Sequence, residues 1–211
     1  MTNTVSIVLA AGKGMRLGGP KALLLWPGPP GQKPRPLAIA HAEARLSAES
    51  SRVVIVARKP IVQALIPFVR PGLDLLVSDA DDDLGPAGSI ATAVQRLAAN
   101  DRVLVCPVDT LPARATTTAA LLGALGADGA PPLATRPRHG GRAGHPVALQ
   151  GHALDRYRQP NPPPLRDHLH ALGGDLRDVD VDDADVLVDI NTPVEAMRYL
   201  RAPPTFFGDG P

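Results

Sequence analysis

A short β-branched apolar run, residues 5–9, passes directly into Leu9-Ala10-Ala11-Gly12-Lys13-Gly14-Met15-Arg16-Leu17-Gly18-Gly19-Pro20-Lys21, and this junction constrains the fold more than any other feature of the chain. The apolar run reads as a buried first strand. Glycines placed straight after it let the backbone approach a ligand closely, because nothing projects from Cα. Consecutive backbone N–H groups in such a turn form a concavity that binds anions. Lys13, Arg16 and Lys21 set three cations along the same loop. A glycine loop with fixed cations after strand one predicts a triphosphate cradle.

Two familiar phosphate motifs do not fit this loop. The P-loop requires G-x-x-x-x-G-K-[ST], whereas Lys21 lies between Pro20 and Ala22. The dinucleotide fingerprint G-x-G-x-x-G fails because Gly12, Gly14 and Gly18 are spaced one residue too far. It also asks for an acidic residue at the end of the second strand, and here that strand runs into Arg58-Lys59.

Beyond the loop, strands at 52–57, 73–77 and 102–106 alternate with helical patterns at 37–48, 61–68, 88–98 and 116–125. Such alternation predicts a parallel sheet covered on both faces, with its ligand at the carboxyl ends of the strands. In the second half, strands at 133–136 and 146–149 flank a Gly- and Arg-rich turn, which suits an antiparallel pairing. Helices at 151–158 and 165–172, a late strand at 186–190 and a helix at 193–201 follow. That last helix opens on Pro193, where a missing N–H costs nothing. Pro-rich segments 27–36 and 160–164 read as loops. The expected architecture is therefore α/β, a three-layer Rossmann-like sandwich, mostly parallel with a small antiparallel addition. It forms one domain over residues 1–202, with a frayed tail at 203–211.

The bulk properties narrow the function. At 211 residues the chain suits one domain with a full core. A formal net charge of +1 gives no field to draw it to nucleic acid or an anionic membrane. No apolar run is long enough for a span and no signal segment opens the chain. One cysteine, Cys106, excludes an internal disulfide and fits a reducing cytoplasm.

The first loop resembles the L-A-A-G-x-G-x-R-x-G-x-P-K signature of GT-A-like nucleotidyltransferases, and within them the MobA-like NTP transferases that build molybdenum cofactors. In this chain the variable position before Pro20-Lys21 is itself a glycine, which makes a Gly18-Gly19 pair. The resemblance implies that Leu9, Ala10, Ala11, Gly12, Lys13 and Gly14 hold base and phosphates. It further implies Arg16 on the β- and γ-phosphates and Lys21 on the α-phosphate.

Two further segments carry the likeness. In Cys106-Pro107-Val108-Asp109-Thr110-Leu111-Pro112, Asp109 follows a strand at the same sheet edge as the loop. Read alone it is a turn residue; the resemblance makes it a metal-binding aspartate, although relatives usually show C-D-x-P. Asp189-Ile190-Asn191-Thr192-Pro193 resembles D-I-[DN]-T-P, which would supply a second metal ligand, Asn191, with Asp189 as the alternative. Asn191 or Thr192 also reads as the cap of the following helix. Glu195 is assigned no role. The metal implied is Mg²⁺, which takes oxygen ligands, waters and substrate phosphates.

Gly85-Pro86-Ala87-Gly88-Ser89 precedes a helix; Gly85, Gly88 and Ser89 read as base or ribose contacts, and Ser89 equally as a helix cap. Leu9-Ala10-Ala11-Gly12 looks like the cytidylyl-transferring branch and Gly85-Pro86-Ala87-Gly88 like the guanylyl branch, so CTP and GTP both stand. Gly140-Gly141-Arg142-Ala143-Gly144-His145-Pro146-Val147 is similar to the G-x-P-G-H-P-V segment of the cytidylyl branch, which assigns Arg142 and His145 to the acceptor; a surface hairpin is the plain alternative. The G-D-x-G-A-R segment of many relatives is replaced by Pro162-Pro163-Pro164-Leu165-Arg166-Asp167-His168. His168 and His170 read as surface residues, and Asp79–Asp83 and Asp180–Asp185 as solvated loops. Cys106 reads as a buried apolar group.

The expected protein is thus a Mg²⁺-dependent nucleotidyltransferase that moves NMP from CTP or GTP to a phosphorylated acceptor and releases pyrophosphate. The resemblance implies molybdopterin as that acceptor and an apo-molybdoenzyme or chaperone as partner. A same-fold enzyme for a sugar phosphate and a non-catalytic nucleotide-binding relative are the rival expectations.

Overall fold

The structure, a computed structural model, describes residues 3–27, 31–46, 50–78, 84–127 and 130–208. The chain runs β1 Thr4–Leu9, β2 Leu25–Trp26, β3 Arg35–Pro36, α1 Leu37–Leu46, β4 Arg52–Ala57, α2 Lys59–Leu65, β5 Leu73–Val77 and α3 Gly85–Val94. It continues through β6 Arg102–Pro107, α4 Ala115–Leu125, β7 Ala134–His139, β8 Arg142–Ala143, β9 Val147–Gln150, α5 Leu165–Ala171, β10 Leu176–Asp180 and α6 Pro193–Leu200.

The main sheet has the order β10-β7-β9-β6-β1-β4-β5, with β8 on the side of β7. β1 lies inside it, parallel to its neighbours β4 and β6, with Ile7 opposite Val54 on one side and Val105 on the other. β9 runs antiparallel to both β6 and β7, while β10 returns parallel to β7. The expected three-layer, mostly parallel α/β sandwich is the architecture observed.

Strand alternation builds a core on each face. Val8, Ile55 and Leu104 meet Leu37, Ile39, Leu65, Leu121 and Ala196 from α1, α2, α4 and α6. Ile7, Val54 and Val105 meet Ile90, Val94, Leu154 and Leu169 from α3, the 3-10 segment Gly151–Arg158 and α5. Ile7 and Val8 are wholly buried, each contributing about 1.5–3 kcal/mol by removal from water. Two buried polar side chains of α1 reach the loop after β6: His41 Nε2 bonds Thr110 O at 2.9 Å, and Arg45 Nη2 donates to Ala113 O.

Several expectations are corrected. The late strand at 186–190 does not form. Asp183 is buried, accepts from Thr117 Oγ1 at 2.7 Å and Arg114 N at 3.0 Å, and caps a 3-10 turn at Ala184–Leu187. Only Asp189 makes an isolated bridge, to Thr110. The strand at the sheet edge is instead β10, whose Asp178 and Asp180 pair with Arg136 and Arg138 across the ladder. Asp180–Asp185 is therefore not one solvated loop, and Asp79–Asp83 lies outside the described residues.

The helix expected at 151–158 is present and is of the 3-10 type. His168 is buried and stacks edge-to-face on Tyr157 at 5.2 Å, because its side of α5 turns inward. The tail expected to fray from Ala202 packs back through Phe207, since its two aromatic rings find apolar partners in the core.

Candidate active site

The carboxyl ends of β1, β4 and β6 open on a cavity of about 1040 Å³. Leu9, Ala11, Gly12 and Gly14 form one wall. The loop is fixed from two directions. Ala10 is buried and its N–H donates to Val56 O at 2.8 Å, while Arg58 Nε donates to Ala11 O at 2.7 Å. Gly14 sits at φ +65°, and its Cα faces the Gly19 carbonyl so closely that a Cβ would collide with it. The carbonyl of Gly14 accepts from Leu17 N and Gly18 N, closing the turn that delivers Arg16 and Lys21 to the cavity.

Lys21 joins this loop to the two downstream segments. Its Nζ donates to Asp109 Oδ2 at 3.0 Å and to Asn191 Oδ1 at 2.7 Å. Asp109 is held through its backbone, where its carbonyl accepts from Ile190 N at 2.7 Å and the neighbouring Thr110 accepts from His41. Asn191 is held by Glu195, whose Oε2 accepts from Asn191 N at 2.8 Å and Thr192 N at 2.9 Å. Thr192 and Glu195 form a capping box at the start of α6. Those backbone donors keep the Glu195 carboxyl below its ordinary range.

Asp109 and Asn191 offer hard oxygen donors converging on one cation, here the Lys21 ammonium, so the donor chemistry suits a divalent metal such as Mg²⁺. Asp189 bridges Thr110 and is exposed outside the lining; partial desolvation of its carboxyl, followed by the nearby Asp109 charge, raises its pKa. Among the described residues no cluster of three His, Cys, Asp or Glu side chains could hold a metal unaided.

A second wall is Leu84, Gly85, Pro86, Ala87 and Ser89 at the start of α3. The helix begins at Gly85, three residues before the expected start, so Ser89 lies within it and is not its cap. Gly88 and Lys13 do not line the cavity; Gly88 is buried and Lys13 is exposed. The opposite wall carries His145, Arg136 and Arg166. Arg142 is exposed on β8 and outside the lining, because the hairpin carries it past the cavity. His145 buries Nδ1 without a partner among the described residues, and burial lowers its pKa against the pull of Asp189 and Asp109. Cys106 is buried beneath the site, its thiol pushed up to about 11 by desolvation, which fits the inert role expected of it.

Sequence reasoning missed Arg58, Arg136, Arg166, His41 and Glu195. Only Glu195 had a readable signal, the T-x-x-E capping pattern. Among described residues the lining holds Arg16, Lys21, Arg58, Arg136 and Arg166 against the carboxylate of Asp109, with Arg136 also paired to Asp178 outside the lining. Such a cavity selects polyanions.

Residues 6–174 match the MobA-like NTP transferase domain. The chain belongs to that family. It is a nucleotidyltransferase of α/β architecture, as the first loop led us to expect. No curated protein matches the sequence. Among solved structures it is similar to Rv0371c of Mycobacterium tuberculosis H37Rv, at TM-score 0.77 and 20% identity over 95% of this chain and 98% of that one. A manganese complex of Rv0371c aligns at TM-score 0.74 and 18% identity, covering 95% and 99%. A CMP:2-keto-3-deoxy-manno-octonic acid synthetase complexed with CTP aligns at 0.69 and 16%, covering 95% and 100%. Among the described residues of this MobA-like transferase, no helix is long and apolar enough to cross a membrane.

Proposed function

We propose that this protein transfers NMP from CTP or GTP to a phosphorylated small-molecule acceptor, with Mg²⁺, and releases pyrophosphate. Molybdopterin is the acceptor we assign, from the likeness of the first loop and the His145 segment to molybdenum-cofactor transferases. The observation that carries the reading is the meeting of Lys21, Asp109 and Asn191 at the mouth of the glycine loop. Three segments far apart in sequence bring a cation and two oxygen donors to one point beside an anion-binding turn.

Each residue then has a task. The 11–14 backbone and Arg16 bind the triphosphate, and Lys21 neutralises charge at the α-phosphate. Asp109 and Asn191 would hold the divalent ion, which supplies charge neutralisation to the phosphates when bound. The acceptor phosphate attacks the α-phosphorus in line, so positioning and charge neutralisation suffice and no protein nucleophile is needed. The cavity of about 1040 Å³ is at the upper end of the roughly 300–1,000 Å³ usual for one ligand, which suits two substrates side by side. His145, Arg136 and Arg166, facing the loop, are the acceptor wall in this reading.

Thermal stabilisation by CTP, GTP, ATP and UTP, each with and without Mg²⁺, tests the donor half, because a ligand of the native state raises Tm. A Mg²⁺-dependent rise with CTP or GTP is expected. No shift with any nucleotide overturns the transferase reading. Pyrophosphate release that depends on added molybdopterin tests the acceptor.

A further inference from the structure

Gly19 of the first loop has a partner at the other end of the chain. A Cβ on Gly19 would stand 2.8 Å from Phe206 Cζ and 2.9 Å from the ring's ε carbons, so the aromatic face rests directly on the glycine backbone. On its other side the Gly19 carbonyl abuts Gly14, where a Cβ would collide with it. Gly14, Gly19 and the Phe206 ring thus form a stack, and Pro20 and Lys21 follow at once. The terminal segment is fastened by backbone bonds as well. Leu25 N donates to Thr205 O at 2.8 Å, Phe207 N donates to Leu23 O at 2.8 Å, and Leu24 bridges Phe206. Phe207 is itself anchored edge-to-face on Phe68 at 5.1 Å. These contacts grip residues 19–25 on both sides of Lys21, yet Phe206 does not line the cavity.

We propose that residues 205–207 are a strap that holds the phosphate loop in register, and that Phe206 is a positioning residue for Lys21. The inference rests on the nucleotide-binding function proposed above. A Cβ at position 19 would press into the ring at 206 and force one of them to move, so Gly19 and the terminal Phe206 work as one unit. The strap lies outside the residues 6–174 that match the family domain.

The test is calorimetric titration of the full chain with Mg²⁺-CTP and Mg²⁺-GTP, well below the melting temperature. Phe206→Ala is expected to weaken the nucleotide that binds by about tenfold, while Phe206→Tyr, which keeps the ring, binds as wild type. Gly19→Ala is expected to lose affinity too. The double variant Gly19→Ala/Phe206→Ala binds no worse than Phe206→Ala alone, because the added methyl group then meets no ring. A purely structural role would lower Tm and leave the binding constant unchanged, and that result overturns the strap. Additive losses in the double variant also overturn it. Should Phe206→Ala fail to fold, Gly19→Ala decides alone: wild-type affinity sinks the proposal. Wild-type protein that binds neither nucleotide overturns the transferase reading and the strap together.

Discussion

The ammonium of Lys21 lies 3.0 Å from the Asp109 carboxylate although 88 positions separate the two residues. The same nitrogen bonds Asn191 at 2.7 Å. In the proposed function, an ammonium so placed would compete with a divalent ion for the same two oxygens. Lysine is suited to this, being a point charge on a flexible stem that can turn from these oxygens to an incoming phosphate.

Lys21→Ala should therefore separate metal affinity from turnover. Removing the competing cation is expected to raise the affinity of the nucleotide-free protein for Mn²⁺, read by electron paramagnetic resonance. Nucleotidyl transfer should fall by about a hundredfold or more. Asp109→Ala should lose transfer to a similar degree and lose Mn²⁺ binding as well. Wild-type turnover in Asp109→Ala would remove this residue from the metal site.

Glu195 should matter for both stability and the site. Its carboxylate accepts from the backbone of Asn191 and Thr192, so Glu195→Ala loses half of a capping box. Urea denaturation is expected to show a loss of about 1 kcal/mol. Titration with Mg²⁺-nucleotide should show weaker binding, because Asn191 is no longer held. A stability loss with unchanged binding would confine Glu195 to the helix.

The proposed acceptor wall can be dissected with two arginines. Arg166 lines the cavity and Arg142 does not. Initial-rate kinetics should give a raised KM for molybdopterin in Arg166→Ala, with the nucleotide KM little changed, and wild-type constants in Arg142→Ala. The reverse pattern would restore the assignment drawn from family resemblance.

His41 gives stability a pH dependence. Burial lowers its pKa from 6.5 to about 4, against the bond it donates to Thr110 O. The unfolded chain takes up this proton near pH 6.5 and the folded chain only near pH 4. Stability from this group is therefore complete above pH 6.5 and is lost as pH falls through that window, by up to about 3 kcal/mol. His145 and His168, also lowered by burial, act in the same direction. His41→Gln can still donate to Thr110 but does not titrate, so its urea midpoint should fall less between pH 7 and pH 4 than that of the wild type. Equal slopes would mean that His41 is already charged in the fold.

The sequence by itself determined the sheet, the helices that cover it and the edge at which the site lies. Those features are written in local periodicity: β-branched runs such as 52–57, helix patterns between them, and glycines where β1 ends. It also determined the first loop, because Gly12, Gly14 and Lys21 are read from one continuous stretch. Tertiary structure decided what depends on neighbours distant in the chain. Residues 186–190 carry a strand pattern, yet the buried Asp183 cap draws 184–187 into a turn while β10 takes the sheet edge. Arg136 and Arg166 join His145 on one wall while Arg142 is carried past it by the β7–β8 hairpin. The terminal phenylalanines look like a loose tail until the Gly19 backbone and Phe68 supply the surfaces they cover. Burial and charge pairing are sums over three-dimensional neighbours, and no window along the chain contains those neighbours.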